Sequence, residues 1–284
     1  MLISLLLAAL LPLQDAPAQT PPAAPPAEPA APAAEPVPTA TPDSVKQFLQ
    51  DAEAHLYDPK AAGLTSLEFD VPIEMPAPMG TLGTAHVTWA ADGTADVNVT
   101  RPADMTLPMG LQPAQVDGQG RQMAMQLLGF MLNKPITPML EGAVATMDGV
   151  EDGLVKVAFH NAVAEAQGVE SMSLYFDDAG LLQRVKTVAN LESPMGKVKV
   201  EQSQSFTWKP AREGSELVIA DIQKTIADMG MMKLSAETSF GYTTVADIIL
   251  ATTASTTSEV PMKGKVTQAI TATNLKVNGQ AVGG

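Results

Sequence analysis

Residues 197 to 208 read KVKVEQSQSFTW and alternate without a break. Val198, Val200, Gln202, Gln204, Phe206 and Trp208 share one side, and Lys197, Lys199, Glu201, Ser203, Ser205 and Thr207 take the other. A two-residue period sustained this long belongs to an extended strand, whose successive Cβ atoms point to opposite faces. A strand needs partners, and the chain supplies them. LEFDVPIE (67–74) alternates, and TAHVTW and TADVNVT flank a turn at Asp92-Gly93, a strong hairpin signal. LVKVAF (154–159) and SMSLYF (171–176) follow, then LLQRVKTV (181–188) after the turn Asp178-Ala179-Gly180. ELVIADI comes next, then MKLSAETSFGY, which sets Met232, Leu234, Ala236, Thr238 and Phe240 on one face. Two Thr-rich strands, about 245 to 257 and 264 to 277, close the series.

Helical periodicity occurs twice. Val45, Phe48, Leu49, Ala52 and Leu56 fall on one face behind a capping box of Ser44 and Gln47, and Asp58-Pro59 ends that helix. A second helix spans roughly Gly120 to Leu132, with Pro135 closing it. Ten or so strands joined by short turns imply a mainly antiparallel meander. Strands that are polar on one side must bury the other, and two helices cannot cover a flat sheet of that width. The expected fold is mainly β with a few helices: a curled antiparallel half-barrel with the helices in or over its concave face.

Charge narrows the partners. The formal net charge is -14, which repels phosphate backbones and anionic headgroups at long range, so no nucleic-acid partner is expected. Cysteine is absent, which excludes disulfides, thiolate metal sites and a cysteine nucleophile. At the start, Leu2 to Leu13 is apolar and Ala16-Pro17-Ala18 gives the small-x-small pattern of a signal-peptidase site. Twelve helical residues rise only about 18 Å against a hydrocarbon core of roughly 30 Å, so no stable membrane span is expected. Residues 1–18 are read as a signal peptide for export to the periplasm or cell envelope. Residues 19–43, nearly all Pro, Ala, Glu and Thr, are read as a disordered tether. Residues 44–284 remain as a single β-rich ligand-binding domain, because no internal linker divides them.

The chemical motifs are sparse. His55, His86 and His160 lie far apart, so no metal site is expected. DGVEDG (148–153) reads as an acidic hairpin turn, and Asp177-Asp178 as turn chemistry. No catalytic elbow, phosphate loop or dinucleotide fingerprint is present, and no cofactor is implied. The sixteen methionines are more informative. Nine lie between Met75 and Met147, where the strand pattern fails, and methionine suits surfaces that adapt to varied apolar partners. Burying an acyl chain of ~16 methylenes at ~0.8 kcal/mol each is worth on the order of 13 kcal/mol before entropic losses, with hardly any polar groups required.

Several segments together resemble the LolA/LolB-like periplasmic lipoprotein-carrier family. These are the exported start, the N-terminal amphipathic helix, GTADVNVTRP (93–102), LYFDDAGLLQRV (174–185) and TNLKVNG (273–279). The resemblance implies a half-barrel whose short helices form a lid over a cavity for acyl chains. It also implies that Arg101, matching the family's arginine before proline, latches the lid. The chain departs from the family after that point, where ADMTLPMG carries no aromatic residue and methionine would line the cavity instead.

The expected function is therefore a non-enzymatic exported protein that binds or carries an acyl chain, lipid or acylated protein. Met123, Leu127, Phe130 and Met131 would face the ligand from one helical stripe, with Trp208 and Phe240 facing it from the sheet. The alternatives are a structural or interaction module with a fully packed core, and an envelope hydrolase using His86 or His160 beside an acid.

Overall fold

The alternation places strands where it predicts them, and the pairing is antiparallel throughout the two sheets. In a computed structural model the described residues are 40–75, 80–102, 107, 112–132, 136, 142–193, 196–230, 232–260 and 264–282. The stretch read as a signal peptide and almost all of that read as a tether lie outside them. The chain runs α1 (Asp43–Ala54), β1 (Ser66–Met75), β2 (Gly80–Ala90), β3 (Ala95–Thr100), α2 (Pro113–Leu132), β4 (Val144–Glu151) and β5 (Leu154–His160). It continues α3 (Ala162–Ala166), β6 (Val169–Phe176), β7 (Leu182–Ser193), β8 (Gly196–Pro210) and β9 (Val218–Asp228). The last elements are β10 (Lys233–Val245), β11 (Ile248–Val260), β12 (Gly264–Thr271), β13 (Thr273–Val277) and β14 (Gln280–Ala281).

Strands β4 to β12 form a nine-stranded meander in strict sequence order, and a second sheet has the order β14-β13-β1-β2-β3. Both sheets are open, and α2 packs on β1, β2 and β3 of one and on β11 and β12 of the other. The architecture is thus mainly antiparallel β with few helices, in keeping with a curled half-barrel holding α2 in its concavity.

Strands β4 and β14 were not expected, and two strand boundaries differ from the periodicity reading. The stretch expected as one strand from 264 to 277 changes sheet at Ala272: Thr271 pairs with Thr253 of β11, while Thr273 pairs with Asp70 of β1. Asn274 sits in the left-handed region (φ 50), which turns the chain while leaving the side-chain alternation nearly intact. Likewise Ala246 and Asp247, both at positive φ, form a two-residue hairpin turn between β10 and β11, so the strand expected from 245 begins at Ile248.

The α1 helix lies on the β4 end of the nine-stranded sheet. Val45, Leu49 and Ala52 pack with Phe159, Leu174 and Phe176, and Phe48 meets Phe176 edge to face at 5.1 Å. Its expected capping box does not form. Pro42 occupies the cap position without a side-chain bond, and Gln47 donates instead to Asp51. The helix is held by its buried face, which outweighs a missing cap worth ~1 kcal/mol. Just ahead of it Thr41 Oγ1 accepts from Ala145 N on β4 at 2.9 Å, satisfying one donor of the edge strand.

Candidate functional site

Helix α2 is longer than its sequence signal, starting at Pro113, a residue well suited to a first helical turn. Val116, Gly120, Met123, Ala124, Leu127, Leu128 and Met131 recur at three- and four-residue spacing and are all buried. Gly120 is there for closeness, since a Cβ at that position would collide with Ile73 Cδ1 on β1. The helix and both sheets share one apolar cluster. From the helix come Met123, Leu127 and Met131, and from the sheets Phe69, Val87, Trp89, Phe240, Leu250 and Val277, among others. Phe130 is half-buried and meets Phe240 edge to face at 4.8 Å.

Five of the expected ligand-facing residues therefore come together: Met123, Leu127, Phe130, Met131 and Phe240. Trp208 does not join them. It stacks on Phe206 at 5.6 Å within the cluster under α1, and its indole N–H donates to Leu182 O at 2.7 Å. Between Val200 and Phe206 the inward face of β8 carries Gln202 and Gln204, both buried, so that part of the concave face is polar.

Arg101, just past β3, donates from Nε to Asp117 Oδ1 at 2.9 Å and so ties the end of the first sheet to the start of α2. Both side chains are about one third exposed (32% each). Asp117 was absent from the sequence expectations. Its signal is that it is the single acid in the helix. The tie is worth under ~1 kcal/mol at that exposure. The five large apolar residues that α2 buries contribute about 2 kcal/mol each, so packing dominates.

The rival chemistries can be placed as well. His86 Nδ1 lies 2.7 Å from Asp70 Oδ1, and Asn274 donates to the other oxygen at 2.7 Å. Burial works against the Asp70 charge, but the hydrogen bonds from Asn274 and His86 outweigh it and hold the carboxyl below its usual range. This pair faces solvent across β1 and β2, with His86 46% exposed. His160 stands 3.8 Å from Glu165 and is partly exposed (38%). The acids of DGVEDG are neutralised locally: Asp148 and Glu151 pair with Lys156, and Asp152 with Arg184. Asp177 Oδ1 accepts from Ala179 N and Leu181 N, which is turn chemistry. Among the described residues no group of His, Asp or Glu could hold a metal ion, and no helix is long and apolar enough to cross a membrane.

A cleft of about 710 Å³ opens elsewhere, between the C-terminal end of α1 and the β8–β9 and β10–β11 hairpins. None of the expected ligand-facing residues lines it.

No family model matches the chain, and no curated protein matches it. Function therefore rests on geometry and chemistry.

Proposed function

We propose that the protein is a non-enzymatic, exported binder of acyl chains or similar apolar molecules, in which α2 occupies the ligand's place until a ligand displaces it. The supporting observation is the position of α2 between two open sheets, where Met123, Leu127 and Met131 are at most 7% exposed. The Arg101–Asp117 pair ties its start to the end of β3. Withdrawing five large apolar side chains costs about 10 kcal/mol, and an acyl chain of ~16 methylenes returns about 13 kcal/mol before the entropic cost of association, so the two apolar terms are of the same order. A site relined by methionine accepts such a chain without exact fit.

A sixteen-carbon fluorescent fatty acid tests this directly. The apo protein is expected to take it up saturably, and Arg101→Leu, which removes a tie worth 0.2 to 1 kcal/mol, should raise affinity up to about fivefold. Absence of uptake, with no lipid on the protein purified from its host in native mass spectrometry, would end the proposal.

The second reading, a packed structural module, is favoured by the near-zero exposure of Leu127 and Met131. Phe130→Ala separates the two. It should lower stability by about 3 kcal/mol in either case, but only a ligand site would also show altered fatty-acid affinity.

A further inference from the structure

Gln202 and Gln204 stand two residues apart on the inward face of β8, 8% and 4% exposed. Among the described residues neither side-chain amide has a hydrogen-bond partner. Glutamine is seldom buried in this way, because an amide removed from water and left unpaired costs stability. Among the described residues Arg184 Nε is the one fully enclosed side-chain nitrogen or oxygen without a partner. The two amides are therefore not sealed in, and each opens onto space that a small group can reach.

The positions around them extend the same chemistry. Thr187 of β7 is in register with Gln202, and Thr225 of β9 with Gln204. Two residues before Thr225 on the same face, Gln223 pairs with Thr238 of β10, whose hydroxyl bonds that of Thr256 on β11 at 2.8 Å. These neighbours are half-buried. The opposite face takes the charges, as in the Lys224–Glu237 pair at 3.2 Å. The inward patch of described residues thus offers hydrogen bonds and no charge. It begins where the α2 cluster ends, since Phe240, two residues beyond Thr238 on the same face, meets Phe130 of α2.

Carboxamides and hydroxyls each donate and accept, which suits them to hydroxyl groups. A charged headgroup would lose its hydration here with no opposite charge to meet. We propose that the ligand's polar end is uncharged and hydroxyl-bearing, as in an acyl chain esterified to a polyol, and that Gln202 and Gln204 bond it while the chain takes the place of α2. The inference rests on the acyl-binding reading and specifies the headgroup.

Monolaurin, laurate and methyl laurate share one acyl chain and differ at the head, which is neutral with hydroxyls, anionic, or neutral without a hydroxyl. Each is titrated, below its micelle concentration, against the full chain loaded with the fluorescent fatty acid. Monolaurin should displace the probe with about tenfold higher affinity than either of the others. The double variant Gln202→Leu with Gln204→Leu should abolish that preference and leave the affinity for methyl laurate within about twofold. Its urea midpoint without ligand should rise, because two unpaired amides have left the interior, and the same measurement shows that it folds. Equal displacement by the three compounds, or a double variant that keeps the preference for monolaurin, would overturn the headgroup assignment while leaving the acyl site in place. Failure of the parent protein to take up the probe is a different result, which removes the acyl site and this inference with it.

Discussion

Tyr242 reaches from β10 toward the neighbouring strand, where its hydroxyl donates to Ala220 O. Burial pushes this phenol well above the ordinary tyrosine range, and the Asp221 carboxylate adds to the effect. Tyr175 is raised too, chiefly by burial and then by Glu151. A group that binds its proton more tightly when folded gives stability that is intact below its unfolded value, about pH 10, and lost as pH rises beyond it. The phenolate absorbance of these two residues is therefore expected to rise together with loss of near-ultraviolet circular dichroism, in one transition above pH 10. Asp70 has the opposite sign. Its lowered carboxyl supplies stability above about pH 4 that disappears as pH falls through the folded value, so Asp70→Asn should flatten the acid limb of the stability curve. At this scale the sequence was legible where turn chemistry is strong: Asp92 Oδ1 accepts from Thr94 N beside Gly93. It was not legible at Ala246, because alanine carries no signal for a left-handed turn and adopts one only when neighbours hold it there.

Among the elements, α2 is the one whose role depends most on close approach. Gly120 lies against Ile73, which is fully buried, so Gly120→Ala should cost about 1 to 3 kcal/mol through overpacking. Gly118 in the same helix has open space at its Cβ position, and Gly118→Ala should gain about 0.5 to 1 kcal/mol. Urea midpoints of the two variants moving in opposite directions would check this, and a shift of both in the same direction would refute the packing account. The start of α2 was missed because Gly118 and Gly120 weaken the helical signal over its first turns, whereas the buried face there depends on β1 and β3. The same distinction explains α1, whose apolar stripe was plain although its cap was misread.

For the whole molecule the decisive contacts are the most distant ones. Leu67 pairs with Val277, and Asn278 Oδ1 accepts from Thr65 N across 213 residues while its amide donates to Gly63 O. The chain's last strands thus cover its first. Ending the chain at Thr271 removes the buried Leu275 and Val277, about 2 kcal/mol each, together with those bonds. Against a total of roughly 5 to 15 kcal/mol for a domain, the shortened protein is expected to unfold at much lower urea. An unchanged midpoint would mean that the two sheets do not depend on this closure. Pairing over such separations also predicts slow folding, on the order of seconds.

Most of the strands, their inward faces, most of their turns and the apolar stripes of both long helices were determined by the sequence alone, because alternation and helical spacing are properties of the backbone over a few residues; β4 and β14, which carry no such alternation signal, were not. Only the tertiary structure decided that the last Thr-rich run divides between two sheets, that Trp208 belongs under α1 while Phe240 belongs with α2, and that Asp117 answers Arg101. Each of those depends on which distant surfaces bury the most apolar area together, a sum over the whole chain that no local period encodes.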